Sequence, residues 1–478
     1  MKRLALAILF SSIVSPAWAT TYFLAPAAGG GNDANSGTSA NAPWLTPNHA
    51  VNCGDVIIAA PSTAYVSTNF YFSWGAVTCP SNNNVAWLEC ATPFACALTV
   101  TTGTAYDMVI SASYWGVQGW VFSNLSSNTS GGGCVTVNPA SANISHVILA
   151  NNIVNNCNGS GIGGGPNGTA SVDYLAVIGN VVYNVGALNT GCDSGISINA
   201  PEAVDNLPGT HVYVAGNIVY GSKNPSGCFD GEGIIFDTWN SFAGGPAVSY
   251  AQQGVIDNNI AISNGGSGIR VEYNNAGMGA PFATIYVRHN TMWGNDNDAL
   301  QSGSNTCGEY LAFKTENTSA YQNLSATNQP GCFGNSSIPA YAYNVQFVDG
   351  TSSVYQNAAW SSTGSYTGSS NATGFTFNAN NITSSTISFA NATTPGAPNC
   401  SGFATVPTCM ATVIANFTPT TAAAKPYGYQ VPTSTQTYDP LFPHWLCNVN
   451  LPPGLVTMGC VALSSLPASP SITGLIVQ

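Results

Sequence analysis

Charge is scarce in this 478-residue chain, which carries seven Lys and Arg, 19 Asp and Glu, and a formal net charge of −12. So few cations exclude a nucleic-acid partner, because phosphate binding needs clustered Lys and Arg. Long apolar runs are missing too. The run from Leu4 to Val14 is shorter than the roughly 20 residues that span a bilayer, so no membrane span is expected. It follows Lys2 and Arg3 and precedes Ala17-Trp18-Ala19, the pattern of an export signal cleaved after Ala19. A secreted protein, periplasmic or extracellular, is therefore expected. Neither a CxxC pair nor a Cys/His zinc spacing occurs. All 14 Cys follow the signal, and an even number in an exported chain favours disulfides over metal thiolates. Cys90 with Cys96, Cys400 with Cys409, and Cys447 with Cys460 are close enough in sequence to pair locally.

Helical 3.6-residue spacing is also absent. What recurs is an apolar pair, one or two small or polar residues, an Asn, and another apolar group. The phrase reads VILANNIVNN (147–156), AVIGNVVYN (176–184), VYVAGNIVYG (212–221), GVIDNNIAISN (254–264) and IYVRHNTMWGN (285–295). Its aligned residues Asn152, Asn180, Asn217, Asn259 and Asn290 are 28, 37, 42 and 31 positions apart. Repeats in this range mark solenoids, and β-branched runs bounded by Gly and Asn are strands joined by turns. The expected fold is all-β, a single right-handed parallel β-helix. The Asn residues would form a ladder at one turn, satisfying backbone groups between coils.

Four segments follow. Residues 1–19 are the signal, 20–130 an N-terminal cap with the first coils, 131–394 the central β-helix, and 395–478 an irregular Pro- and Cys-containing cover.

A second phrase, Gly before a branched apolar residue, occurs at Gly161-Ile162, Gly195-Ile196, Gly233-Ile234 and Gly268-Ile269, with Ala299-Leu300 as its continuation. Side chains alternate along a strand and coils stack about 4.8 Å apart. With each Ile inward, Ile198, Phe236 and Val271 also point inward. Ser197, Ile235 and Arg270 then form one outward row, and Asn199, Asp237 and Glu272 a second. Asp193, Asp230 and Glu232 lie on the turns just before these strands. Hard oxygens at this spacing suit Ca²⁺, which takes six to eight of them.

The charge pattern marks the same region. Residues 193–316, about a quarter of the chain, hold 12 of the 19 acids and four of the seven basic residues. Trp239, Tyr273 and Trp293 lie near this face in sequence and are candidates to stack on sugar rings. Arg270 has a plainer alternative role, pairing with Asp237 or Glu272. Asp257 and Arg288 share one position in successive phrases and read as an exposed inter-coil ion pair.

The opening TYFLAPAAGGGNDANSGTSANAPWLTP with CGDVIIAAPSTAY, and the coils CDSGISI, CFDGEGIIFD and NGGSGIRVEYNN, resemble exported polysaccharide lyases of the pectate-lyase kind, the family-9 type most nearly. That resemblance implies Ca²⁺ held by acids on neighbouring coils and a base in a Gly-Phe-Lys phrase. Gly268-Ile269-Arg270 falls on that phrase and puts Arg270 in the base position. The implied activity is β-elimination of a uronate-containing polysaccharide by a monomeric enzyme. The metal would stabilise the enolate as C5–H is lost. Two readings of other kinds stand beside it. One is a glycoside hydrolase using paired carboxylates from Asp230, Glu232 and Asp237. The other is a non-catalytic glycan-binding or surface protein.

Overall fold

The repeat length and the β-branched phrases translate directly into coils. A computed structural model describes residues 19–449 except 80–83, 100–105, 125–132, 187–191, 224–229, 240–249, 273–282, 299–306, 348–351, 362–365, 369–375, 378–385, 431–438 and the single residues 316, 328, 330, 334, 338 and 448. The expected export signal falls outside the described residues, save Ala19, and so do Tyr273, Ala299, Leu300 and Cys460.

Three long sheets of 12, 10 and 9 strands run the length of the molecule. Through the central coils each strand pairs in parallel with the strand three places further along the chain, so one coil supplies three strands. The chain is a parallel β-helix. Residues 20–130 already contribute coils, with Thr21–Leu24 as the first strand of the 12-stranded sheet. Among the described residues no helix is long and apolar enough to cross a membrane.

The Asn ladder sits at the turn between the 12- and 10-stranded sheets. The Asn180 backbone N–H donates to Asn217 Oδ1 at 2.9 Å, and Asn180 Nδ2 donates to Leu149 O at 3.0 Å. Asn217, Asn259 and Asn290 repeat the pattern. Asn323 and Asn357 extend it two coils beyond the five phrases read from sequence. All are buried, where an unpaired amide would cost roughly 1–3 kcal/mol. The residue before each ladder Asn has a positive φ: Asn151, Gly179, Gly216, Asn258, His289, Gln322 and Gln356, between 50° and 67°. That left-handed turn explains the Gly and Asn preference there.

The Gly of the second phrase reflects close approach between coils. A Cβ on Gly195 would meet Val219 Cγ1 at 2.3 Å and Gly233 O at 2.5 Å. The next coil departs from the sequence expectation. Ile269 is registered with Tyr310, so Glu309-Tyr310, and not Ala299-Leu300, continues the phrase. The inward rows Ile196, Ile234, Ile269, Tyr310 and Ile198, Phe236, Val271, Ala312 are fully buried and form the core.

The described residues between 386 and 449 lie across two of the three sheets. Phe442, Trp445 and Leu446 pack on Ile148, Tyr174 and Tyr213 of the 12-stranded sheet. Val406, Met410 and Phe417 pack on Val181, Tyr220 and Ile262 of the 10-stranded sheet. This covering corrects the expectation for Arg288 and Asp257, which are 7% and 2% exposed. Arg288 donates to Asp257 at 2.7 Å and to Asp439 at 3.1 Å, so the pair is buried because Asp439 closes over it. Cys90–Cys96 and Cys400–Cys409 are disulfides. Cys53–Cys79, Cys134–Cys157 and Cys307–Cys332 are also bonded.

Candidate functional site

The nine-stranded sheet carries the outward rows read from the sequence. Ser197, Ile235 and Arg270 are registered in turn, as are Asn199 and Asp237. Glu272 ends its strand one position beyond the last registered pair, Phe236 with Val271, which puts it on the rung next to Asp237. The stripe Asn199, Asp237, Glu272 therefore stands on one face. Asn199 and Asp237 are half-buried, whereas Arg270 and Glu272 are buried, at 3% and 9% exposure.

Arg270 organises the acids. Its Nη1 donates to Glu232 Oε1 at 2.8 Å and lies 3.8 Å from Asp230 Oδ1, and its Nη2 pairs with Glu272. The Phe313 ring covers the guanidinium at 5.8 Å. Ser194 Oγ donates to Glu232 Oε2 at 2.9 Å. One cation is thus shared among three carboxylates, with a fourth, Asp237, close enough to feel them.

The electrostatics follow from that ratio. Burial pushes Glu232 up to about 7, opposed by Arg270 and reinforced by Asp230. Burial pushes Glu272 up to about 8, opposed by Arg270 and reinforced by Asp237, Glu232 and Asp230. Asp237 rises to about 6 through burial and then through Asp230, and Asp230 is raised by burial. Burial disfavours the charge on Arg270, but Glu232, Glu272 and Asp230 outweigh it and hold the guanidinium more firmly protonated than usual. A group held this way is a poor proton acceptor.

The expected site residues divide. Asp230, Glu232 and Glu272 meet at Arg270, and Asp237 stands beside them. Asp193 and Asn199 line a neighbouring cleft two coils earlier than Arg270. Trp239 is placed in the core instead, 1% exposed, stacked on Phe236 at 4.2 Å with its N–H on Ile198 O at 3.2 Å. Thr238, with φ 46°, turns the chain inward, and Gly254 leaves the room: a Cβ there would meet the Trp239 ring at 2.2 Å. Trp293 lies on the 10-stranded sheet against Phe417, with ring centroids 5.7 Å apart.

The six expected Ca²⁺ donors do not form one shell. Three of the carboxylates turn toward the guanidinium, and among the described residues no three of these acids bring ligand oxygens within 4.8 Å of one another. The trio that meets that distance, Asp296 with Cys307 and Cys332, includes two disulfide-bonded sulfurs. A single ion held by all six does not fit these residues.

Two buried acids were missed. Glu309 accepts from the Asn295 backbone N–H at 3.1 Å, and burial raises it to about 7. Asp296 accepts from Gly308 N–H at 3.0 Å and is raised by burial, then by Glu309. Their signal was the local concentration of acids. Glu309 stands where other coils carry the Gly of the Gly-Ile phrase.

No protein-family model and no curated protein matches the chain. Among solved structures it is similar to pectate lyase Pel9A, at 19% identity over 74% of this chain and 80% of that one, with a TM-score of 0.40. It is similar to an alginate lyase from Paenibacillus sp. str. FPU-7, at 14% identity over 67% and 92%, TM-score 0.31. A third is the GH136 lacto-N-biosidase from Eubacterium ramulus, at 12% identity over 76% and 67%, TM-score 0.39. Likenesses this distant do not bear on activity. The β-helix rests on the strand register of the chain itself.

Proposed function

We propose that this exported protein cleaves glycosidic bonds in a glycan lying along the nine-stranded face, with Glu272 as proton donor and Asp237 as its ionised partner. The observation that supports this reading is a pair of carboxyls on adjoining rungs whose surroundings push them to different values, about 8 and about 6. Near neutral pH one is protonated and the other charged, the division of labour that acid–base cleavage needs. Glu272 gives its proton to the departing glycosidic oxygen as Asp237 bonds to the anomeric carbon, and a water deprotonated by Glu272 then displaces Asp237, releasing the sugar and restoring both carboxyls. The two residues stand on adjoining rungs, whose backbones lie about 4.8 Å apart, the close placement that double displacement uses. Arg270 is a positioning residue, fixing Glu272 and Glu232.

One observation favours a second reading, Ca²⁺-dependent β-elimination with Arg270 as base. Four acids crowd a single guanidinium, an excess of negative charge that a divalent cation would offset. The firmly held proton on Arg270 weighs against it. Purified protein incubated with neutral glycans and with polyuronates, each with and without EDTA, separates the two. New reducing ends without ultraviolet-absorbing unsaturated products support hydrolysis. EDTA-sensitive unsaturated uronides would replace it with elimination, and no product from any glycan would leave a binding protein.

A further inference from the structure

We infer that the cleft beside the acid pair is a subsite for an uncharged sugar ring, which makes the substrate a neutral glycan and not a polyuronate. The inference deepens the glycan-cleaving reading and rests on it. The cleft, about 210 Å³, opens on the nine-stranded sheet. That volume is below the roughly 300–1,000 Å³ of pockets for drug-sized ligands and suits one ring of a longer chain.

Its position ties it to the chemistry. Asn199 forms one wall and is registered with Asp237, so the cleft lies one rung, about 4.8 Å, from the ionised partner. Glycines shape it. The strand Ile162–Gly164 puts Gly163 between Thr136 and Ser197 in the outward row, and Gly165 follows beside Asn199. A Cβ on Gly163 would meet Thr136 Oγ1 at 3.0 Å, and one on Gly165 would meet Asn199 O at 3.2 Å, so any side chain there would begin to fill the space.

The lining suits hydroxyl groups. Thr136 is 7% exposed and lines the cleft, and its hydroxyl has no hydrogen-bond partner among the described residues. Asn199 commits its Oδ1 to Thr238 Oγ1 at 2.6 Å, leaving its amide to donate. Ser197 adds a second hydroxyl, and Tyr106 a half-buried ring. Asp193 is the one charged residue among those lining the cleft, and none is basic. A uronate carboxylate placed here would face Asp193 with no basic residue among those lining the cleft, whereas a neutral ring pairs its hydroxyls with these donors and acceptors.

Calorimetric titration of the folded wild-type protein with xylohexaose, cellohexaose, mannohexaose and hexagalacturonate tests this. At least one neutral hexaose should bind, and hexagalacturonate at least about tenfold more weakly. Gly163→Val should weaken the neutral ligand by about tenfold or more, and Thr136→Ala, which removes only a hydroxyl, several-fold. Tighter or equal binding of hexagalacturonate would overturn the inference, as would no binding of any neutral hexaose. So would unchanged affinity in Gly163→Val shown folded by circular dichroism. If that variant does not fold, unchanged affinity in Thr136→Ala decides against the subsite. Neutral-hexaose binding without cleavage would remove the chemistry assigned to Asp237 and Glu272 while leaving the subsite in place.

Discussion

Replacing Arg270 with Met removes the only cation contacting Glu232 and Glu272 among the described residues while keeping a long side chain under Phe313. Breaking a buried ion pair by removing one partner costs roughly 3–5 kcal/mol. The pH dependence separates this account from simple loss of packing. Glu232 and Glu272 hold folded values of about 7 and about 8, above the ordinary 4.5. Their contribution to stability is therefore fully present below about 4.5 and lost as pH rises through 7 to 8, because the unfolded chain releases these protons first. Without Arg270 the folded values climb further. At about pH 5 both carboxyls are already protonated in the folded variant, and the penalty should be small, on the order of 1 kcal/mol of lost packing. At about pH 8 the full 3–5 kcal/mol should appear. Urea unfolding of wild type and variant at the two pH values measures the difference. Equal losses at both, or a larger loss in acid, would refute the reasoning.

Other expectations follow from the same structure. The rate of glycan cleavage against pH should be a bell with limbs near 6 and 8, and Asp237→Asn should lower the rate about 10²–10⁴-fold and erase the acid limb. Asn217→Leu strands the Asn180 backbone N–H and Val177 O and should cost roughly 2–4 kcal/mol, read from thermal or urea unfolding. Asp439→Asn weakens the tie between Arg288 and the covering segment, so limited proteolysis should release residues 386–449 faster than from wild type. EDTA should leave both unfolding and cleavage unchanged, and a shift in either would restore a metal to the site.

The sequence carried the ladder and the outward rows because each is local to a coil and repeats at equivalent positions. A buried Asn bonded to the coils on either side must recur in every coil, and so it shows as a period. Trp239 did not show, because its inward course depends on the left-handed turn at Thr238 and on Gly254 in the next stretch of chain. Arg288 and Asp257 look exposed until Asp439, about 150 residues away, is laid across them. Glu309 was hidden by the uneven length of successive coils. Ile234 to Ile269 spans 35 residues and Ile269 to Tyr310 spans 41, so the phrase falls later than Ala299-Leu300 and carries Glu in place of Gly. Arg270 was legible as a member of the stripe, but its binding by Glu232 arises from a turn whose course no periodicity dictates.

Carboxyl titration by ¹³C NMR, with Asp237→Asn and Glu272→Gln to assign the signals, addresses the pair itself. The account predicts midpoints near 6 for Asp237 and near 8 for Glu272. Two carboxyls titrating together below about 5, in the ordinary range of exposed Asp and Glu, would contradict it.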